Sequence, residues 1–337
     1  MADSIFEQEK QDTRQDLYEI KIFPLDANQE PFVMSLKWIR MNPGVHVASY
    51  EDREGAMHFY KYEHVGEPRY KQVPDPKVKF PEHISLMLDT KIGRNVIAKA
   101  SGKKIGSSTW GWANLVPEAQ MAGAFQDPNI VTIHDFATNK RDELFMIMEY
   151  LPNGNLSDWL KKEHKSWEIS SVVEQLSSVL ERIHVNHRLV YADLKPINIG
   201  FDKDWTVKLM DFEISVRMRD DGTAIGGQDK TFGFAAPEQF GNNPRLTAKT
   251  DIYSLGAVVF SILTGIDGGD YEVRLLRGRF EKDPNSLIPF RDGYKKIFSG
   301  KQMEEVSRIL HTALKENPEE RYSSTAVFNM YFQKVLK

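Results

Sequence analysis

The chain has 337 residues, 41% of them apolar and 27% charged, with a formal net charge of -4. A chain of this length buries a sizeable core and divides into about two domains, and its slightly acidic balance argues against a surface built for nucleic-acid phosphates. It has no cysteine, which excludes disulfides and thiolate-held metals, and its start, "MADSIFEQEKQDTRQ", has neither the basic beginning nor the apolar run of a secretory leader.

Taken in chain order, the first part alternates apolar and polar residues in "LYEIKIF" and "MHFYKYEHV", and places Phe32, Met34, Leu36 and Trp38 on one face of an extended chain. No motif there carries chemistry, and a β-rich extension over residues 1–68 is expected, its role open. "PDP" at Pro74 to Pro76 predicts a loop. "ISLMLD" and "RNVIAKA" around "TKIG" predict a hairpin, "LVPEAQMAGAF" a helix, and "IVTIHDF" and "LFMIMEY" strands. After "PNGN" the pattern turns helical, in "LSDWLKKEH" and then in "ISSVVEQLSSVLERIHV", where Val172, Val173, Leu176 and Leu180 form one stripe. The most apolar run, "YSLGAVVFSILTG" from Tyr253 to Gly265, is shorter than the roughly 20 residues of a membrane span. Strands followed by helices predict two unequal lobes, 69–150 and 151–337, joined by a short hinge. His184 and His187 in "HVNH" have a metal-like spacing, with no third ligand evident nearby.

The chemistry concentrates in "YADLKPINIGFD", which puts Asp193, Lys195 and Asn198 in one loop, and in Asp211, thirteen residues after Asn198 across a strand-turn-strand. Phosphoryl transfer asks for metal-binding oxygens, a carboxylate to orient the attacking hydroxyl, and cations on the phosphates. Together with "GRNVIAKA", "DPNIV", "KTFGFAAPEQF", "TDIYSLGAVVFSILTG" and "NPEERYSS", in this order, the loop resembles the eukaryotic-type protein serine/threonine kinases from roughly Ile84 to the C-terminus. The resemblance implies an α+β, bilobal protein kinase-like fold, with a small β-rich N-lobe and a mainly helical C-lobe. It implies that Asp193 is the catalytic base, that Lys195 meets the transferred phosphate, and that Asn198 and Asp211 hold magnesium, with manganese as the other candidate ion. Lys99 is implied to bind the ATP phosphates, paired with Glu118 nineteen residues later. Ile84, Ile97, Met148, Glu149 and Leu151 are implied to form the adenine site, with Met148 as gatekeeper. Thr231 is implied to bridge Asp193 and Lys195, Asp251 to brace the catalytic loop, and Arg321 to pair with Glu238.

Four positions depart from the family pattern. Where the phosphate-covering loop is expected, "KVKFPE" has no glycine, with Lys77 and Lys79 as substitute cations. Ile97 replaces a small residue above the adenine. "YAD" stands where most members have His-Arg-Asp, so Ala192 removes the arginine that would pair with a phosphorylated activation segment. Finally, Glu213 follows Asp-Phe where glycine is usual. Its cost would be about 1 to 2 kcal/mol if the backbone there is left-handed, and its carboxylate is a candidate metal contact.

The resemblance implies ATP- and magnesium-dependent phosphorylation of serine or threonine on a protein substrate; the charge balance argues against a nucleic-acid partner, the short apolar runs against a membrane one, the cytoplasm is the default location, and the oligomeric state stays open. Two other readings stay open at this stage. One is a catalytically weak pseudokinase serving as a binding or scaffold module; the other is a small-molecule kinase of the choline or aminoglycoside type, which shares the Asp-Phe-Glu segment and the five-residue step from Asp193 to Asn198.

Overall fold

The computed structural model describes residues 17–24, 46–51, 57–73, 80–104, 125, 127–139, 143–226, 233–240, 244–266, 271–283 and 285–336. The expected strand around Phe32 to Trp38, the Pro74 to Pro76 loop, Lys77, Lys79, the helical pattern holding Glu118, and Thr231 lie outside the described residues. By its internal packing the chain divides into two units: Met1–Phe125 with Val131–Tyr150, and Gln126–Ile130 with Leu151–Lys337.

The first unit is a sheet of seven strands: β1 (Leu17–Pro24), β2 (His46–Glu51), β3 (Met57–Gln72), β4 (Ile84–Asp89), β5 (Arg94–Lys104), β6 (Ile133–Thr138) and β7 (Glu143–Glu149). Their order is β1-β6-β7-β5-β4-β3-β2, and β1 also pairs with β3. Six of the strands therefore form a closed ring, with β2 attached outside it along β3. The strands that precede residue 69 belong to this same sheet. β3 is long enough, at 16 residues, to serve three neighbours: its first part pairs with β2 and β1, and its end, Tyr70 to Gln72, pairs with Asp89 to Met87 of β4.

Because successive side chains of a strand point to opposite faces, the register sorts the residues. Leu17, Tyr70, Met87, Val96, Ala98, Ala137 and Ile147 pack into one buried cluster. On the opposite face, Ile84 stands across from Lys99, Leu86 across from Ile97, and Met148 and Met146 across from Ile97 and Lys99 in turn. The ring is clasped by charge. Arg69 grips both oxygens of the fully buried Asp89 at 2.8 and 3.0 Å and reaches Asp135 at 3.1 Å, which also accepts from the Tyr70 hydroxyl. Burial pushes the Asp89 carboxyl up, but the guanidinium outweighs it and holds the carboxyl below its ordinary range. Burial likewise raises the Tyr70 phenol, with Asp135 adding to the effect.

The second unit is mainly helical, with helices α1 (Leu156–Trp159), α2 (Ser166–His187), α3 (Ala248–Thr264), α4 (Tyr271–Lys282), α5 (Tyr294–Ile297), α6 (Gly300–Ala313) and α7 (Thr325–Leu336). The helix expected over "LSDWLKKEH" ends after one turn at Trp159: Asn155 caps its start, and Trp159 and Leu160 are buried where the chain turns away. α2 carries the predicted stripe inward, burying Ile169, Val172, Val173, Leu176 and Leu180, and ends on Arg188 in the left-handed region (φ 49°). α3 is buried on all sides from Thr250 to Thr264, which accounts for its continuous apolar run. No described helix is long and apolar enough to cross a membrane. α3 packs tightly against the end of α6 at Gly256, where a β-carbon would lie 2.9 Å from that of Ala313.

Short strand pairs complete this unit: β8 (Leu189–Val190) with β11 (Val216–Arg217), β9 (Ile199–Phe201) with β10 (Val207–Leu209), and β12 (Ala224–Ile225) with β13 (Arg245–Leu246). The strand expected over "IVTIHDF" begins only at Ile133. Ile130 instead bridges to Leu209 and belongs to the helical unit.

Candidate active site

The loop after β8 is held from below by one carboxylate. Asp251, in the first turn of α3 and fully buried, accepts from the backbone N–H groups of Tyr191 and Ala192, both at 2.8 Å, and pairs with His184 Nε2 at 2.7 Å. A buried anion persists when donors replace its water, and three do so here. This identifies the metal-like "HVNH" differently: His184 is a partner of Asp251, and among the described residues no cluster of three His, Asp or Glu side chains could hold a metal.

Further ties fix the same loop. The Ala192 carbonyl accepts from Gln239 Nε2 at 2.9 Å and the Tyr191 carbonyl from Ser215 Oγ at 2.9 Å. The Tyr191 hydroxyl donates to the Met210 carbonyl, and its ring meets Phe212 edge-on at 5.1 Å. The tyrosine thereby joins the loop to the segment carrying Asp211. Ala192 itself is left-handed (φ 67°) and lies in an apolar cluster with Val190, Ala224 and Leu246, against Ile214, Val216 and Met218. An arginine is thus replaced by packing between this loop and the strand of Ala224.

Next come the polar residues. Asp193 Oδ2 accepts from Lys195 Nζ at 2.8 Å and from Asn198 Nδ2 at 2.8 Å, and the Asp193 carbonyl accepts from Asn198 Nδ2 at 3.1 Å. The short 3-10 turn Pro196–Asn198 makes this possible, since it folds Asn198 back over Asp193, with Pro196 at a first-turn position where no N–H is needed. Asn198 is buried, Asp193 and Lys195 half-buried. Asp211 is brought beside them by the β9/β10 hairpin: Ile199 pairs with Leu209, and the Met210 N–H continues the ladder onto the Asn198 carbonyl at 2.9 Å.

The donors on Asn198 and Asp211 suit a hard cation. With its amide nitrogen committed twice to Asp193, Asn198 is left its carbonyl oxygen for a ligand, and Asp211 adds a carboxylate; oxygen donors of this kind suit magnesium. The left-handed residue of the segment is Asp211 (φ 60°), whereas Glu213 is exposed and is not among the residues of positive φ. Glu213 therefore carries none of the backbone strain that a glycine would be needed to relieve.

Several supporting residues were not singled out from sequence. Asn129, next to the predicted Pro128 landmark, donates to the Val207 carbonyl at 2.9 Å and accepts the Leu209 N–H through its own carbonyl at 2.8 Å, so the "DPN" turn carries β10. Asp127 anchors that turn to α2 through both its oxygens on Arg182, at 2.5 and 2.9 Å. Burial raises the Asp127 carboxyl, but Arg182 and the Asn129 N–H together hold it below its ordinary range. Gln239 and Ser215 carry no signal beyond their neighbourhood to "APE" and "DFE". The predicted pair does form downstream: Arg321 grips Glu238 at 2.7 and 2.8 Å and also donates to the carbonyls of Lys315, Glu316 and Lys249.

In the sheet unit, Ile84, Ile97, Lys99 and Met148 fall on one face by register, with Ile97 and Met148 buried opposite one another. Glu149 ends β7, its N–H on the Thr132 carbonyl at 2.9 Å. Leu151 belongs to the helical unit, where its side chain lies against Gly200.

Comparison with known proteins agrees with this geometry. The protein kinase domain family model matches residues 84–333. Curated relatives include a probable serine/threonine-protein kinase of Streptomyces coelicolor, 26% identical over 246 residues that cover 70% of this chain and 35% of the relative. Serine/threonine-protein kinase PknB of Mycolicibacterium smegmatis is 27% identical over 255 residues, 72% of this chain and 39% of the relative. An L-type lectin-domain containing receptor kinase of Arabidopsis thaliana is 30% identical over 200 residues, 58% and 30% of the two chains. The chain thus spans between 30% and 39% of the length of these relatives.

Proposed function

Since the chain belongs to the protein kinase domain family, we propose that it transfers the γ-phosphoryl group of ATP to a serine or threonine hydroxyl of a protein. The observation that carries this reading is the hydrogen-bonded set of Asp193, Lys195 and Asn198 on a loop pinned by Asp251.

In this mechanism Asp193 receives the substrate hydroxyl. Its Oδ2 is held by Lys195 and Asn198, which fixes the carboxylate so that it orients the hydroxyl and takes its proton as the oxygen bonds to phosphorus and ADP leaves. Lys195 sets a cation beside that carboxylate, where negative charge from the phosphoryl group gathers. Asn198 and Asp211 would hold magnesium, which supplies neutralisation of the phosphate oxygens when bound. Lys99 is assigned the phosphates of ATP, and Ile84, Ile97, Met148, Glu149 and Leu151 its adenine; Glu118 and Thr231 keep the family roles of partner to Lys99 and bridge to Asp193. The Glu238–Arg321 pair supports a protein acceptor, because it shapes the segment that presents a peptide.

Labelled-phosphate transfer with magnesium or manganese tests this reading on a generic basic protein, with choline and an aminoglycoside as competing acceptors. Asp193→Asn should lower transfer by about 10²- to 10⁴-fold, and Asp211→Asn should abolish it. Transfer to the small acceptors alone would overturn the assignment, and nucleotide binding without transfer would turn it to a pseudokinase.

A further inference from the structure

The helical unit contains a second concave site that the proposed chemistry does not use. It is a half-open groove of about 370 Å³ whose walls include Trp159, Trp167, Phe201 and Trp205, with the carboxylates of Glu168 and Asp204 beside them. The rings are arranged in a row: His164 stacks on Trp159 at 3.4 Å, Trp159 leans on Phe201 at 6.3 Å, and Phe201 on Trp205 at 5.6 Å. The row starts in the core, where Trp159 is 6% exposed, and ends at Trp205, 53% exposed; Trp167, at 63%, is the most exposed aromatic on this side. Two large aromatic faces left in water at one groove mark a contact surface rather than a core.

A second observation concerns Trp205 itself. It sits in the turn between β9 and β10 in the left-handed region, φ 63°, where glycine or asparagine would be unstrained. Asp202 builds that turn by accepting the N–H groups of Asp204 and Thr206 at 2.8 and 2.9 Å. A strained bulky residue persists where its side chain is used, and here the side chain contributes a wall of the groove.

The chemistry of the walls selects the occupant. Aromatic faces attract cations and stack on planar ones, and carboxylates at their edge complete the pairing. Asp204 is 71% exposed, and its contact with the equally free-standing Lys203, at 3.7 Å, is of the solvent-screened kind. Glu168 is partly committed to the Lys165 N–H at 2.7 Å, which fixes its position on the first turn of α2. We propose that this groove docks an arginine side chain presented by a peptide segment of a partner protein. Arginine is preferred to lysine because its flat, weakly hydrated guanidinium stacks on indole while its N–H groups reach a carboxylate. Trp205 and Asp204 sit in the turn at one end of the β9/β10 hairpin, whereas Asn198 and Asp211 flank its other end, so docking here is separable from phosphoryl transfer.

The test follows the indole N–H signals of the whole chain, Trp167 and Trp205 being assigned with Trp167→Phe and Trp205→Phe, during titration with acetyl-Gly-Arg-Gly-amide. Both signals should move saturably, and the citrulline version of the peptide, uncharged but isosteric, should not move them. Trp205→Gly should weaken binding about tenfold. The same variant should keep or raise the melting temperature, since glycine fits the turn, and should leave transfer to an arginine-free acceptor unchanged. Equal binding of the citrulline peptide, or no movement of the two signals at millimolar arginine peptide, would overturn the proposal. Tighter binding of tetramethylammonium than of the peptide would assign the groove to free organic cations and equally overturn it.

Discussion

Asp251→Asn probes the support of the catalytic loop without changing side-chain shape. The carboxylate serves three donors, with Oδ1 on the Ala192 N–H and Oδ2 on the Tyr191 N–H and His184. An asparagine turned to keep the Oδ2 pair presents its own N–H group to the Ala192 N–H, and turned the other way it loses two partners. The first arrangement forfeits one charge-assisted bond and leaves a buried N–H unpaired, a cost of about 2 to 4 kcal/mol. For a domain of this size that corresponds to a fall of about 5 to 15 °C in Tm. The loss falls on a residue whose left-handed backbone, φ 67°, is maintained by its neighbours and lies immediately before Asp193. Released strain there displaces the carboxylate, and a displacement of about 1 Å costs about a hundredfold in kcat. Thermal melting and steady-state transfer, measured on the same sample, check both figures. If both Tm and kcat were unchanged, the bracing argument would be refuted; a lower Tm with an intact kcat would show that Asp251 stabilises the fold without positioning Asp193.

Arg69→Ala strands the buried Asp89 and should destabilise by about 3 to 5 kcal/mol, read by urea unfolding at neutral pH. The folded Asp89 carboxyl lies below its unfolded value, so its contribution is present above the unfolded pKa and is lost as pH falls through the folded one. The wild type should therefore lose stability on acidification more steeply than the variant, and parallel acid limbs would contradict the role given to Arg69. Phosphatase treatment should leave transfer unchanged, because Ala192 meets Ala224 and Leu246 through apolar contacts that need no phosphate; activity lost and then restored by rephosphorylation between Phe212 and Glu238 would oppose this. Glu213→Gly should change stability by less than about 0.5 kcal/mol, the ordinary range of an exposed position. Its effect on the magnesium-to-manganese activity ratio separates a metal contact from an incidental side chain.

The catalytic loop was legible because its residues are close in the chain. From Asp193 to Asn198 a single turn brings the polar atoms together, and one hairpin adds Asp211, so spacing places them on one loop and hairpin while their roles follow from the family resemblance. The buried helix was legible too, since an unbroken apolar run below membrane length has no polar face to offer water and must be enclosed by protein. What holds the loop was harder to see. His184 reads as half of a metal motif until Asp251 arrives from 67 residues away, and Asn129 is an ordinary turn residue until β10 lies beside it. Glu213 departs from the family's glycine at no backbone cost, because the left-handed position of the segment is Asp211, which no local pattern indicates. The sheet was legible as strands and not as a ring: alternation in "LYEIKIF" specifies an extended segment, whereas its pairing of Tyr18 with Thr138 joins positions 120 residues apart. Such pairing depends on partners that no local pattern names.

The ring of strands also determines how the protein can be cut. The match to the kinase family begins at residue 84, an inviting place to start a shortened polypeptide. Such a fragment would lose β1 and β3, the partners of β6 and β4, and would turn a ring into an open ribbon with two rows of unpaired amide and carbonyl groups. Exposed rows of that kind recruit one another across molecules. The fragment would therefore be expected to self-associate, and the residues that carry no catalytic motif would earn their place as a seal on the sheet that bears Lys99.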